Sequence, residues 1–332
     1  MSLDRRKFLL LAASGLGAGC LPWLSQQRES AAVTRTSWAL GADVSLTVLG
    51  LAPSQARRAL DAAFAEIETV EQVMSIYRPT SQLSQLNRNR ILKRPHRYLL
   101  EVLTVAAETS RATGGAFDIT VQPLWQLHAT AKRRGTLPTP AELAAAQRQV
   151  DWQQVKVTAE EVQLLKPVAA ITLNGIAQGY ALDRALAALK QHGATTALIN
   201  TGEIGSLGTK AHDDPWTTGI QHPREPDSFV AIADLDGRAL ATSGDYETNF
   251  SADLRSHHIF DPRTGTSPPE LASVSIVAPT GLQADALSTA AMVLGKDQAL
   301  ALLAGLPNVD ALLITKSGEV VQTAGFPAAA VS

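Results

Sequence analysis

The sequence predicts an α+β protein built as one interleaved unit, and three features carry that expectation. Short alternating apolar runs and longer stretches of helical periodicity succeed one another along the chain. No internal repeat is visible, and no Pro-, Gly- or Ser-rich linker divides the sequence. With 332 residues, 45% of them hydrophobic and 18% charged, the chain holds enough apolar material for a sizeable core.

Taken in order, the chain opens on a targeting segment. Arg5-Arg6-Lys7 precedes an apolar, small-residue run ending at Gly19, the pattern of a twin-arginine export signal over residues 1–19 and too short to span a bilayer as a mature helix. Gly17-Ala18-Gly19 then leads into Cys20, the only cysteine. Small residues of this kind precede the lipidated cysteine of bacterial lipoproteins, although Gly17 stands where an apolar residue is usual and Leu16 lies one place further out. The expectation is export by the twin-arginine route to the periplasm, with a lipid anchor on Cys20 as the only membrane attachment. A lone cysteine excludes internal disulfides and Cys-based metal sites. The formal net charge of −2, with Lys and Arg scattered beyond the leader, gives no reason to expect a nucleic-acid partner. Residues 20–36 read as a tether and residues 37–332 as the folded domain.

Residues 37–49 alternate as a strand, with Val44, Leu46 and Val48 on one face. Pro53 opens a helix in which Leu60, Phe64, Ile67 and Met74 recur on one side. Residues 77–87 form a polar turn that is either a connector or a ligand-contacting loop. A second helix over residues 99–113 is stopped by Gly114-Gly115. Thr139-Pro140-Ala141-Glu142 has capping-box spacing for a short helix. Residues 155–173 read as two strands around a polar turn, followed at Asn174-Gly175 by a helix to His192. Residues 196–200 and 238–246 are strands, and 256–265 form a loop between strands. A further strand over 272–277, a helix over 282–294, another turn or two of helix over 299–303 and a hairpin over 311–323 complete the chain.

Chemistry concentrates in a few polar stretches. In Gln283-Ala284-Asp285-Ala286-Leu287-Ser288-Thr289, Asp285 and Thr289 stand one helical turn apart on one face. A carboxylate with a hydroxyl can hold a hard cation such as Mg²⁺, or Asp285 simply favours the start of a helix. The turn at Gly175 precedes a helix N-terminus, which either cradles a phosphate or is only a cap; neither a P-loop nor a dinucleotide fingerprint is present. Asp118 and Thr120 follow Gly114-Gly115, where the acid either caps the turn or holds a ligand. His257-His258 lie in a loop dense with ionisable groups, where a His pair is a metal site, a base or surface decoration.

These stretches, in this order, resemble the FAD:protein FMN transferase family, the ApbE-type flavin transferases. The likeness rests on Tyr77-Arg78-Pro79, Gly115-Ala116-Phe117-Asp118, Gly175-Ile176-Ala177-Gln178-Gly179-Tyr180, Ala241-Thr242-Ser243-Gly244-Asp245-Tyr246 with residues 258–265, and Ala284-Asp285-Ala286-Leu287-Ser288-Thr289. It runs from Leu40-Gly41 to Ala290. The resemblance implies one ApbE-like domain of mixed and antiparallel sheets flanked by helices. It also implies Mg²⁺-dependent transfer of FMN from FAD to a Thr or Ser hydroxyl of an acceptor protein through a phosphoester bond, releasing AMP.

Carried over, Asp285, Thr289 and the Gly175 carbonyl ligate Mg²⁺. Leu40, Tyr77, Ala116, Phe117, Asp118, Thr172, Gln178 and Ile259 belong to the FAD site. His258 is the expected base, with Asp245 as the fallback, because a hydroxyl is a weak nucleophile and imidazole titrates near neutrality.

The family's Asp-Leu-Gly-Gly-Ile-Ala-Lys-Gly reads Thr172-Leu173-Asn174-Gly175-Ile176-Ala177-Gln178-Gly179 here. An acid and a lysine are replaced by neutral hydrogen-bonding side chains, so altered FAD affinity with retained metal binding is expected. The pattern is similar to exported flavin transferases linked to nitrous-oxide respiration, which makes a membrane respiratory-complex subunit the expected acceptor. The competing readings are an FAD-binding carrier lipoprotein without transfer and an FAD pyrophosphatase that yields FMN and AMP.

Overall fold

The computed structural model describes residues 32–210 and 213–329; the export signal and Cys20 lie outside the described residues. The domain begins with a hairpin. Strand β1 (Val33–Ala39) pairs antiparallel with β2 (Ala42–Leu49), with Ala39 opposite Ala42. Residues 37–49 were expected to form one strand. Leu40 and Gly41 break it because both take left-handed φ values, 54° and 79°, and two such residues in succession make the tight turn that suits strand twist. The sheet also begins at Val33, inside the stretch expected to be tether.

The remaining strands are β3 (Ile91–Lys93), β4 (Val155–Val157), β5 (Glu161–Leu164), β6 (Thr196–Asn200), β7 (Ile204–Leu207), β8 (Trp216–Gln221), β9 (Phe229–Leu235), β10 (Ala239–Gly244), β11 (Leu271–Ala278), β12 (Asp310–Thr315) and β13 (Val320–Gln322). Eight of them form one sheet in the order β1-β2-β6-β7-β10-β11-β12-β13. Every neighbouring pair in it is antiparallel. A three-stranded sheet, β3-β5-β4, and the β8-β9 ribbon stand apart from it.

The helices are α1 (Pro53–Met74), α2 (Gln82–Asn89), α3 (Arg97–Ala112), α4 (Gln122–Arg133), α5 (Pro140–Gln147), α6 (Ala177–Gln191), α7 (Gly281–Leu294) and α8 (Lys296–Leu303). In α1, Leu60, Ile67 and Met74 are buried as their spacing requires. They join Leu182 and Leu189 of α6 and Val44, Leu46 and Val48 of β2 in the largest core cluster. Each such side chain contributes about 1.5–3 kcal/mol on burial.

Period-two alternation assigns the sheet's two faces. On β11, Val274 and Ile276 pack with Ala284 and Leu287 of α7. The next residue, Val277, packs with Trp216, Leu235 and Phe326 on the opposite face. The α5 capping box forms as its spacing predicts, with Thr139 and Glu142 exchanging hydrogen bonds.

Several local expectations change. The polar turn expected over 77–87 ends in α2, which Ser81 caps by accepting from the Ser84 N–H at 2.9 Å. Residues 170–173 are not a strand. Asn87 clamps Ile171 instead, donating to its carbonyl at 2.8 Å and accepting from its N–H at 2.7 Å. Helix α4 and strands β3, β7, β8 and β9 had no counterpart in the sequence reading.

The crossing of α6 and α7 positions the site. A Cβ on Gly179 would lie 2.0 Å from the Gly281 carbonyl oxygen, and one on Gly281 would lie 2.5 Å from that of Gly179. Only glycine at both positions lets the two helix starts meet backbone to backbone.

Candidate active site

A cleft of about 460 Å³ opens where the β1–β2 turn, the loops after α1 and α3, the end of β10 and the starts of α6 and α7 converge. Its walls include Gly175, Asp285 and Thr289, the expected FAD-site residues and His258. Asp245 is the one expected site residue that does not line it.

The floor is an oxygen-rich seat. Thr280 caps α7 by accepting from the Gln283 N–H at 3.2 Å. One turn on, Asp285 is only 3% exposed, and its Oδ2 accepts from the Gly179 N–H of α6 at 3.0 Å. Thr289 follows on the same face, its Oγ1 3.3 Å from Ser243 Oγ. A Cβ on Gly175 would lie 2.6 Å from Thr289 Oγ1, so glycine alone allows the turn before α6 this close to the hydroxyl.

Burial pushes the Asp285 carboxyl above its ordinary range. Glu203, 6% exposed, is pushed well up by burial and then by the neighbouring Asp285 charge. Hard oxygen donors beside crowded, desolvated carboxylates fit Mg²⁺, which takes carboxylate, hydroxyl and carbonyl ligands.

The side walls can hold a ring system and polar edges. Tyr77 is 63% exposed at the lip, while Ala116, Phe117 and Ile259 present buried apolar surface. Leu40 lies at the other lip, in a left-handed conformation that costs a branched side chain roughly 1–2 kcal/mol. Thr172 Oγ1 accepts from the Asn174 N–H at 3.2 Å. Gln178 Nε2 donates to the Thr201 carbonyl at 3.3 Å.

Asp118 lines the cleft and also caps the turn that follows it. Oδ1 accepts from Thr120 N at 2.7 Å and Oγ1 at 2.6 Å, and Oδ2 accepts from Trp152 N at 3.1 Å. Burial still raises its pKa against those bonds. Among the described residues, the cleft's charged walls are Asp118, Glu203, Glu247 and Asp285, with no Lys or Arg.

His258 faces this cleft from the loop before β11. Its Nδ1 lies 3.2 Å from the Thr248 carbonyl. A carbonyl only accepts, so that bond assigns the ring proton to Nδ1 and leaves the Nε2 lone pair free. Burial lowers the His258 pKa, which keeps the ring neutral at pH 7 and able to take a proton.

Asp245, the fallback base, does not line the cleft. The residue is fully buried, and Arg224 holds both of its oxygens at 2.7 and 2.8 Å. Lys316 adds a third cationic contact at 3.5 Å. A carboxylate so paired ties the end of β10 to the Arg224 loop and has both oxygens engaged away from the cleft. Sequence reading assigned no role to Glu203, Ser243 or Glu247; the glycine-bracketed corner Thr201-Gly202-Glu203-Ile204-Gly205 was the signal available for the first.

This cleft sets acids and aromatic rings around an oxygen-donor seat, the lining of a small-molecule binding site. The ApbE family model matches residues 40–313, and the chain belongs to the ApbE family. It is 31% identical over 291 residues to the FAD:protein FMN transferase of Salmonella typhimurium, covering 84% of this chain and 83% of that one. It is 33% identical over 300 residues to the protein of the same name from Treponema pallidum, covering 82% and 81%. The crystal structure of the ApbE protein from Thermotoga maritima superposes with a TM-score of 0.79 at 28% identity, covering 89% of this chain and 97% of that one.

Proposed function

We propose that this chain transfers FMN from FAD to a Thr or Ser hydroxyl of an acceptor protein, forming a phosphoester and releasing AMP, with Mg²⁺ as cofactor. The observation that carries the reading is the convergence in one cleft of the Asp285–Thr289–Gly175 seat, the neutral His258 ring and the Tyr77 and Phe117 rings.

In the transfer, the acceptor hydroxyl oxygen attacks the FMN phosphorus and the bond to the bridging anhydride oxygen breaks. AMP leaves with that oxygen. The hydroxyl proton passes to His258 Nε2, the free lone pair in the cleft. Asp285, Thr289 and the Gly175 carbonyl would hold Mg²⁺, which when bound would supply the positive charge that phosphoryl transfer requires. Tyr77 offers an exposed ring face for stacking, and Gln178 and Thr172 offer neutral hydrogen bonds.

The leader and Cys20 support the further proposal that the enzyme works in the periplasm, lipid-anchored, after twin-arginine export. Its acceptor, a membrane respiratory-complex subunit in this reading, would then present its hydroxyl on that side of the membrane.

Product chromatography tests the reaction. With FAD, Mg²⁺ and a candidate acceptor, transfer releases AMP in step with flavin bound to protein. AMP in step with free FMN identifies a pyrophosphatase. Tight FAD binding with no AMP identifies a carrier.

A further inference from the structure

We propose that Asp183, on α6, is the positioning residue that fixes the Asp285 carboxylate in the cation seat. The inference rests on the reading of Asp285 as a cation ligand.

The starts of α6 and α7 are fastened by exchanged carboxylates. Asp285 of α7 accepts from the Gly179 N–H of α6 at 3.0 Å. Asp183 of α6 accepts in return from two N–H groups of α7, Gly281 at 2.7 Å and Leu282 at 2.9 Å. Both Asp183 oxygens are thereby engaged, one on each N–H, so Asp183 acts on the seat through the backbone of α7 and is not itself a ligand.

The joint has no slack. Beyond the close approach of Gly179 and Gly281, a Cβ on Gly179 would lie 2.8 Å from Asp285 Cβ. Asp285 stands one turn after Gly281, on the same side of α7. A small displacement of that first turn therefore moves the carboxylate relative to Thr289 and Gly175. Partners of this kind, bonded behind a ligand, tune metal affinity by about 10–100-fold.

The body of α7 stays folded without Asp183, because Ala284, Ala286 and Ala290 are fully buried in the core. The helix also keeps its own cap at Thr280. That cap provides the control: Thr280→Ala removes a hydrogen bond from the same helix start without touching the α6–α7 exchange.

The test titrates Mn²⁺, as a spectroscopic stand-in for Mg²⁺, into FAD-free full-length protein. Free Mn²⁺ is followed by electron paramagnetic resonance and fold by far-ultraviolet circular dichroism. Asp183→Ala is expected to weaken Mn²⁺ binding about tenfold or more. Asp183→Asn, which keeps one acceptor oxygen, is expected to fall between Asp183→Ala and wild type. Thr280→Ala is expected to lower the melting temperature while leaving Mn²⁺ affinity native.

Native affinity in folded Asp183→Ala, or equal losses in Asp183→Ala and Thr280→Ala, overturns the positioning role. If Asp183→Ala does not fold, the Asp183→Asn result decides on the same terms. Failure of the wild type to bind Mn²⁺ refutes the cation seat itself, and the positioning role with it.

Discussion

Replacing Gly179 by alanine tests how tightly the site depends on the helix crossing beneath it. The added Cβ would sit 2.0 Å from the Gly281 carbonyl oxygen and 2.4 Å from its carbon. An unstrained carbon–oxygen contact is about 3.3 Å or longer, so the two backbones must separate by roughly 1 Å or more. Overpacking of this kind costs about 1–3 kcal/mol. The separation also breaks the bond from Gly179 N–H to Asp285, a charge-assisted contact contributing about 1.5–3 kcal/mol. The combined loss of roughly 2.5–6 kcal/mol corresponds to about 4–10 °C in melting temperature for a domain of this size. Thermal unfolding followed by circular dichroism, with Mn²⁺ titration of the folded protein, reads both consequences. A melting temperature within about 2 °C of wild type, with native metal affinity, would refute the argument that close approach builds the seat.

Three other perturbations probe the chemistry. His258→Ala is expected to slow transfer by about 10²–10⁴-fold with FAD affinity nearly unchanged; an unchanged turnover rate with weakened FAD binding makes His258 a binding residue instead. Removing divalent cations should weaken FAD binding about a thousandfold, since no Lys or Arg lines the cleft among the described residues and one unit charge pair at 4 Å is worth roughly 4 kcal/mol at an effective dielectric of 20; FAD fluorescence with EDTA reads it, and undiminished binding contradicts it. Buried His257 has its pKa pushed from 6.5 down to about 4, by burial first and then by Lys316. The unfolded chain therefore binds a proton that the native state refuses, and stability from this group falls as pH drops from 6.5 to 4, by about 3 kcal/mol in all. Denaturant melts of wild type and His257→Gln should show their difference shrinking by that amount across the window; a constant difference contradicts the assignment.

Much of the site was legible because its residue types are chemically constrained at short range. Asp285 and Thr289 fall one turn apart on any helix, and the glycine before α6 announces a turn. What stayed hidden were the contacts whose partners lie far along the chain. Asp245 beside Gly244 reads the same whether it faces a ligand or a buried Arg224, and the loop between β8 and β9 that supplies Arg224 had no strong pattern of its own. The bond from the Trp152 N–H to Asp118 could not be read from the sequence because the two residues lie far apart along the chain. The β1–β2 turn was hidden because Leu40 is a poor residue for a left-handed φ; only the following glycine pointed to it. The reciprocal caps of Asp183 and Asp285 are invisible in sequence, since neither carboxylate serves its own helix.

The claim that this cleft moves FMN to protein by way of its oxygen-donor seat is met most directly by intact mass spectrometry of an acceptor domain incubated with the protein, FAD and Mg²⁺. A mass gain of one FMN on the acceptor, absent with EDTA and in Asp285→Ala, is the predicted result. A gain that persists at full rate in folded Asp285→Ala, or acceptors that stay unmodified while FAD is bound, would contradict it.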